Sequence, residues 1–112
     1  MNGLKYHHLG IPTREKKKEE RYIPHLKMSV SGYETTEHKI EWMRFDDDCP
    51  LPELVKTIPH VAFQVDDLDK AIEGKKVIIE PTEPSDGIRV AFIEENGAPV
   101  EYVEINDTEN MD

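Results

Sequence analysis

Two stretches of this chain open and close alike, and the duplication limits the fold more than any local propensity does. One stretch opens with His8-Leu9-Gly10-Ile11 and closes with Ile40-Glu41-Trp42-Met43. The other opens with His60-Val61-Ala62-Phe63 and closes with Val100-Glu101-Tyr102-Val103. Each opening runs His, apolar, small, apolar, and each closing runs aliphatic, Glu, aromatic, aliphatic. The His-to-Glu separation is 33 residues in the first stretch and 41 in the second. The difference is about one strand with its turn, so the first unit reads as a trimmed copy of the second.

At 112 residues the chain suits one domain and is too short for two independent cores. Its elements are expected as follows. Residues 4–11 read as a strand that Pro12 ends. Residues 13–22 (TREKKKEERY) are helix formers without an apolar stripe, so residues 13–24 should be weakly helical or mobile. Strands follow at 26–33 and 38–45. The run DDDCPLPEL begins a linker, 46–57, between module one (about 4–45) and module two (58–105). Residues 59–65 alternate, with Val61, Phe63 and Val65 on one face. Asp66 or Asp67 caps a short helix over 67–73, which Gly74 stops. Strands are expected at 76–80, 88–94 and 99–105, with PTEPSDG (81–87) and Asn96-Gly97 as turns. Residues 106–112 should be a disordered tail.

Alternation places the chemistry. With Leu9, Ile11, Val61, Phe63 and Val65 packed inward, His8 with Gly10, and His60 with Ala62, share the opposite face. Gly10 and Ala62 leave room beside each ring. Glu41 shares its strand face with Met43 and Phe45, and Glu101 shares its face with Val103 and Ile105. A carboxylate buried on such an apolar face costs several kcal/mol without a partner. One divalent cation would satisfy two imidazoles and two carboxylates together, and this N₂O₂ set suits nickel, zinc, cobalt, iron or manganese without choosing among them. Taken singly, each of these residues is more often a surface residue at a strand end. The repetition is what raises the metal reading, with an unused ancestral constellation as its alternative.

Over residues 57–105 and 5–12 the sequence resembles the vicinal-oxygen-chelate superfamily of glyoxalases, bleomycin-resistance proteins and ring-cleaving dioxygenases. PHVAFQVDDLDKAI, RVAFIE and PVEYVEI look like its second βαβββ module, and HHLGIP looks like the opening of its first. The likeness is weaker over 38–45 and poor over 13–35. It implies an α+β fold of two tandem βαβββ modules forming a cupped mixed sheet, with the first module trimmed. In nickel-type glyoxalase I, His and Glu on the first and last strands of each module hold the metal. The matching positions are His8, Glu41, His60 and Glu101. Methylmalonyl-CoA epimerase is similar but usually has Gln at the position of Glu41. The implied function is a glyoxalase-like metal-dependent lyase, isomerase or epimerase. It would act on a small substrate with vicinal oxygens through an enediolate or enolate, with Glu41 or Glu101 shuttling a proton. The alternatives are a non-enzymatic ligand binder of the bleomycin-resistance type and a ring-cleaving dioxygenase.

Other residues read as ordinary. His7 should face away from His8, and His25 and His38 should lie at the surface. Tyr33, Met43 and Tyr102 read as packing, Glu104 as solvated, and Arg89 as paired with nearby carboxylates. Trp42 and Arg44 lie opposite Glu41's face. Cys49 has no second thiol to pair with. Residues 1–56 carry equal numbers of acidic and basic side chains, so residues 57–112 supply the whole net charge of −10. That disfavours a nucleic-acid partner. No apolar run is long enough to span a bilayer, and the N-terminus lacks signal-peptide features, so a cytoplasmic location is expected. The open edges of a trimmed module point to a homodimer with the first-half strands near the interface. Whether the site lies within one chain or between two is left open.

Overall fold

The alternating apolar residues of the second half build a sheet with two different faces. In the computed structural model, which describes residues 3–106, Val61 and Phe63 of β5 (His60–Gln64) turn to one side. There they pack with Leu68, Ala91, Ile93, Val100 and Tyr102 beneath α2 (Leu68–Ala71). Ala62, Val90 and Val103 turn to the other side. The expected helix is shorter than its composition allows. Asp67 caps it by accepting a hydrogen bond from Lys70 N at 3.1 Å, and Gly74 follows at φ +74°.

The first half has β1 (Lys5–Pro12), β2 (Arg21–Ile23), β3 (Met28–Ser31) and β4 (Ile40–Phe45). The second half has β5, α2, β6 (Val77–Ser85), β7 (Ile88–Glu95) and β8 (Ala98–Ile105). All eight strands form one sheet in the order β2-β3-β4-β1-β5-β8-β7-β6. β1 pairs parallel with β4, and β5 pairs parallel with β8. The two units meet where β1 runs antiparallel to β5. This is the expected cupped, mixed α+β sheet, with the same strand order in each half about the central β1–β5 pair.

The trimming differs from expectation. The first half keeps all four strands; what it lacks is the helix, and its β2–β3 hairpin is short. Residues 13–20 are not helical. They cover the outer face of module one, where α2 lies on module two. Lys17 Nζ sits 4.2 Å from the centre of the Trp42 ring, and Arg44 donates two hydrogen bonds of 2.8 Å to the Glu20 carboxylate. A polar strap needs no apolar stripe, which is why the segment carries none.

Two further expectations are corrected. Residues 81–85 continue β6 instead of forming a turn. Pro81 and Pro84 are tolerated because β6 is an edge strand, with one side free of partners. The linker contains a helix, α1 (Glu53–Thr57), whose Val55 is buried. Asn96-Gly97 turns as expected, with φ of 52° and 82°. Of the expected tail, residues 107–112 lie outside the described residues.

The Arg44 hydrogen bonds hold the Glu20 carboxyl down to about 2 from its ordinary 4.5. A depressed pKa of this kind contributes stability that is present above pH 4.5 and is lost as pH falls toward 2. Glu20→Gln should therefore flatten the loss of urea resistance across that window. An unchanged acid dependence would show that the strap is not held by this pair.

Candidate metal centre

Strand register assembles the site. Gly10 on β1 lies opposite both Glu41 on β4 and His60 on β5. Ala62 on β5 lies opposite both His8 on β1 and Glu101 on β8. Directly opposed residues point to the same face of a sheet. The two rows therefore read Glu–small–His and His–small–Glu, related by the near-symmetry of the halves, and all four functional side chains enter the cup. The small residues between them are required. A Cβ on Gly10 would lie 2.2 Å from Cε1 of His60, and Ala62 is fully buried.

The donors converge. His60 Nε2 lies 2.9 Å from Glu101 Oε1, and His8 Nε2 lies 3.1 Å from the same oxygen. The two Nε2 atoms are 3.3 Å apart, and His8 Nε2 is 3.4 Å from Glu41 Oε1. Donors held about 2.0–2.2 Å from one ion are spaced about 3.0–3.5 Å from each other in tetrahedral or octahedral shells. The four distances match such edges. Protons alone satisfy the cluster less well, because His8 Nε2 has three close polar neighbours and at most one hydrogen to share. His8, His60 and Glu101 thus form a buried group able to hold a metal ion. Glu41 lies beside this group and outside it, its Oε1 3.4 Å from His8 Nε2 and its side chain 18% exposed against 1% for His60.

The two carboxyls are driven apart. Burial alone would raise Glu101, but hydrogen bonds and charge from the His60 and His8 rings outweigh it and hold the carboxyl well below the usual range. Burial also raises Glu41, and there the His8 and His60 charges do not overcome it. Burial opposes a charged His8 ring, yet the Glu101 and Glu41 carboxylates raise its pKa on balance.

The rings are held by different means. A register shift between Tyr6 and His8 breaks the alternation of β1 and brings His7 to the cavity as well. The Nδ1 atoms of His7 and His8 share a hydrogen bond of 2.7 Å, so Nε2 is the nitrogen His8 offers to the cup. His7 Nε2 lies 3.2 Å from the Tyr33 hydroxyl, and the two rings stack with centroids 4.9 Å apart. His7 and Tyr33 are therefore part of the site. The expectation that His7 faces away fails because a period-two reading cannot anticipate a bulge. The adjacent His7-His8 pair was the one visible signal. Nδ1 of His60 has no partner among the described residues. Packing holds that ring, against Gly10 and edge-on to Phe92 at 4.8 Å.

A cavity of about 540 Å³ opens from the donors between the two halves. Ile23, Met28, Val30 and Met43 form one wall, and Val90 and Val103 form part of the other. Leu51 and Val55 of the linker complete the lining. Met43 and Tyr33 thus face the cavity, beyond the packing role read for them. Glu104 is not solvated: it accepts hydrogen bonds from Leu68 N (2.9 Å) and Arg89 (3.1 Å). Arg89 also reaches Asp69 at 3.3 Å, so its expected local pairing holds. Tyr102 packs in the core beneath α2, and Cys49 is buried, donating to Leu26 O at 3.1 Å. His25 and His38 are exposed.

No family model and no curated protein matches the sequence. Solved structures do match the fold. A hypothetical protein of Bacillus halodurans aligns over 93% of this chain and 96% of its own, at 20% identity and a TM-score of 0.72. The methylmalonyl-CoA epimerase of Mycobacterium tuberculosis aligns over 98% of this chain and 92% of its own, at 17% identity and a TM-score of 0.64. The chain thus shares the fold of these two structures. Among the described residues, no helix is long and apolar enough to cross a membrane.

Gly10→Ala should destabilise the protein by about 1–3 kcal/mol, because the buried His60 ring has no free volume into which to withdraw. Chemical denaturation measures this. An unchanged midpoint would mean that the ring is not seated on the Gly10 backbone.

Proposed function

We propose that this protein is a metal-dependent lyase, isomerase or epimerase of the glyoxalase type, acting on a small substrate with two adjacent oxygens. The observation that carries the reading is that the buried group His8, His60 and Glu101, with Glu41 beside it, sits at a cavity that His8, Glu41 and Glu101 all border. A divalent ion held by His8, Glu41, His60 and Glu101 would supply Lewis acidity to paired oxygens arriving from the cavity.

The protein's own groups divide the remaining work. Glu101 is the anchor: its oxygen is shared by both imidazoles and stays anionic. Glu41 has the longer contact, borders the cavity and has a raised pKa, so it is the group to take a proton from carbon beside a carbonyl and return it. His7 and Tyr33 keep the His8 ring in place.

A second reading has one observation in its favour. The tight, buried trio His8, His60 and Glu101 is by itself the two-His, one-carboxylate set that suits ferrous iron in ring-cleaving dioxygenases. Glu41→Gln separates the two. The wild-type chain should bind one nickel, zinc or cobalt ion per molecule, read by elemental analysis after dialysis. It should then catalyse metal-dependent exchange of the α-proton in a panel of 2-hydroxy ketones in D₂O, followed by NMR. Glu41→Gln should retain the metal and lose about 10²–10⁴-fold in exchange rate. Iron-dependent catechol cleavage that survives the substitution would favour the second reading. Absence of stoichiometric metal would contradict both.

A further inference from the structure

The lining of the cavity restricts what can occupy it. Its walls are dominated by aliphatic side chains from both halves and the linker: Ile23, Met28 and Val30 on one side, Ile79, Val90 and Val103 on the other. Ile23, Met28, Val30 and Met43 pack with Leu26, Phe45 and Leu51 into one cluster that borders the cavity. Such a wall gains from contact with apolar surface at about 25 cal/mol per Å². At about 540 Å³ the space lies in the range that encloses most of a drug-sized molecule.

Its charge is equally selective. The charged residues of the lining are Glu34, Glu41 and Glu101 against a single cation, Arg21. Arg21 makes no ion pair among the described residues. The sequence adds to this bias, since residues 57–112 hold fourteen acidic side chains and four basic ones. With a divalent ion offsetting Glu41 and Glu101, Glu34 and Arg21 are the remaining charges of the lining and they balance, so a substrate with several phosphate charges would find no cluster of cations here to hold it.

We propose that the cavity takes the apolar body of a small molecule that is neutral or carries one negative charge, with its paired oxygens directed at the donor cluster, and that it rejects phosphate-bearing acyl thioesters. The orientation rests on the metal reading given above; the apolar occupancy does not.

Straight-chain alkyl hydroxamates, from acetohydroxamate to octanohydroxamate, are suitable probes because each presents two adjacent oxygens and a tail of chosen length. Calorimetry on the zinc-loaded chain should show affinity rising about fourfold per methylene, the gain for one buried methylene, until the cavity is filled. Met28→Gln should reduce that increment. Acetyl-coenzyme A should bind at least 100-fold more weakly than octanohydroxamate. Octan-1-ol titrated into chelator-stripped protein tests the walls alone and should bind. If hydroxamates fail while octan-1-ol binds, the apolar cavity stands and the metal reading falls. If acetohydroxamate binds as tightly as its longer homologues, or acetyl-coenzyme A binds as tightly as octanohydroxamate, the inference is overturned and the metal reading stands.

Discussion

Two carboxylates and two imidazoles facing one another inside an apolar cup form the constraint to which the rest of the molecule answers. Glu101 is 7% exposed and His60 is 1% exposed. An ion pair removed from water in this way repays its desolvation only with near-ideal geometry and further bonds. The geometry here comes from backbone register. The rows Glu41–Gly10–His60 and His8–Ala62–Glu101 run across four strands, so four polar side chains separated widely in sequence reach one point without any loop having to place them. A site built on strands is held more firmly than one built on loops.

Near-symmetry provides the quartet, and departures from it provide the function. Both halves contribute His and Glu at equivalent points, yet only the second half carries a helix on its outer face. The first half covers that face with the polar strap held by Glu20 and Arg44. Its apolar residues face the cup, where they line the cavity instead of filling it. The short β2–β3 hairpin and the turn after it also bring Tyr33 to His7. The asymmetry extends to the donors themselves. Nδ1 of His8 is hydrogen-bonded, while the His60 ring is fixed by packing, and of the two carboxylates that border the cavity Glu101 is the more buried.

Features governed by strand period and by duplication were legible in the sequence. The alternation around His8 and His60, the small residues beside them and the repeated Glu put four side chains on one face, and a cupped sheet follows from two such units joined together, although β2 (Arg21–Ile23) had no place in that reading. What escaped notice depends on local breaks in that period or on neighbours distant in sequence. The bulge that turns His7 toward the cavity has no composition of its own. Pro81 and Pro84 read as a turn because their tolerance depends on β6 being an edge strand, which is a property of the whole sheet. Residues 13–24 read as weakly helical because Lys17 and Glu20 are good helix formers, yet their partners Trp42 and Arg44 lie more than twenty residues away. The linker helix and the cavity role of Leu51 and Val55 depend on tertiary packing that propensity does not encode.

The central claim is that His8, Glu41, His60 and Glu101 form one first coordination shell. X-ray absorption spectroscopy of the chain loaded with one equivalent of zinc reads that shell directly. It should contain only nitrogen and oxygen scatterers at about 2.0–2.2 Å, with outer-shell scattering from two imidazoles. A sulfur scatterer at about 2.3 Å, which would have to come from Cys49 or a methionine, or a shell with fewer than two imidazoles, would contradict the account.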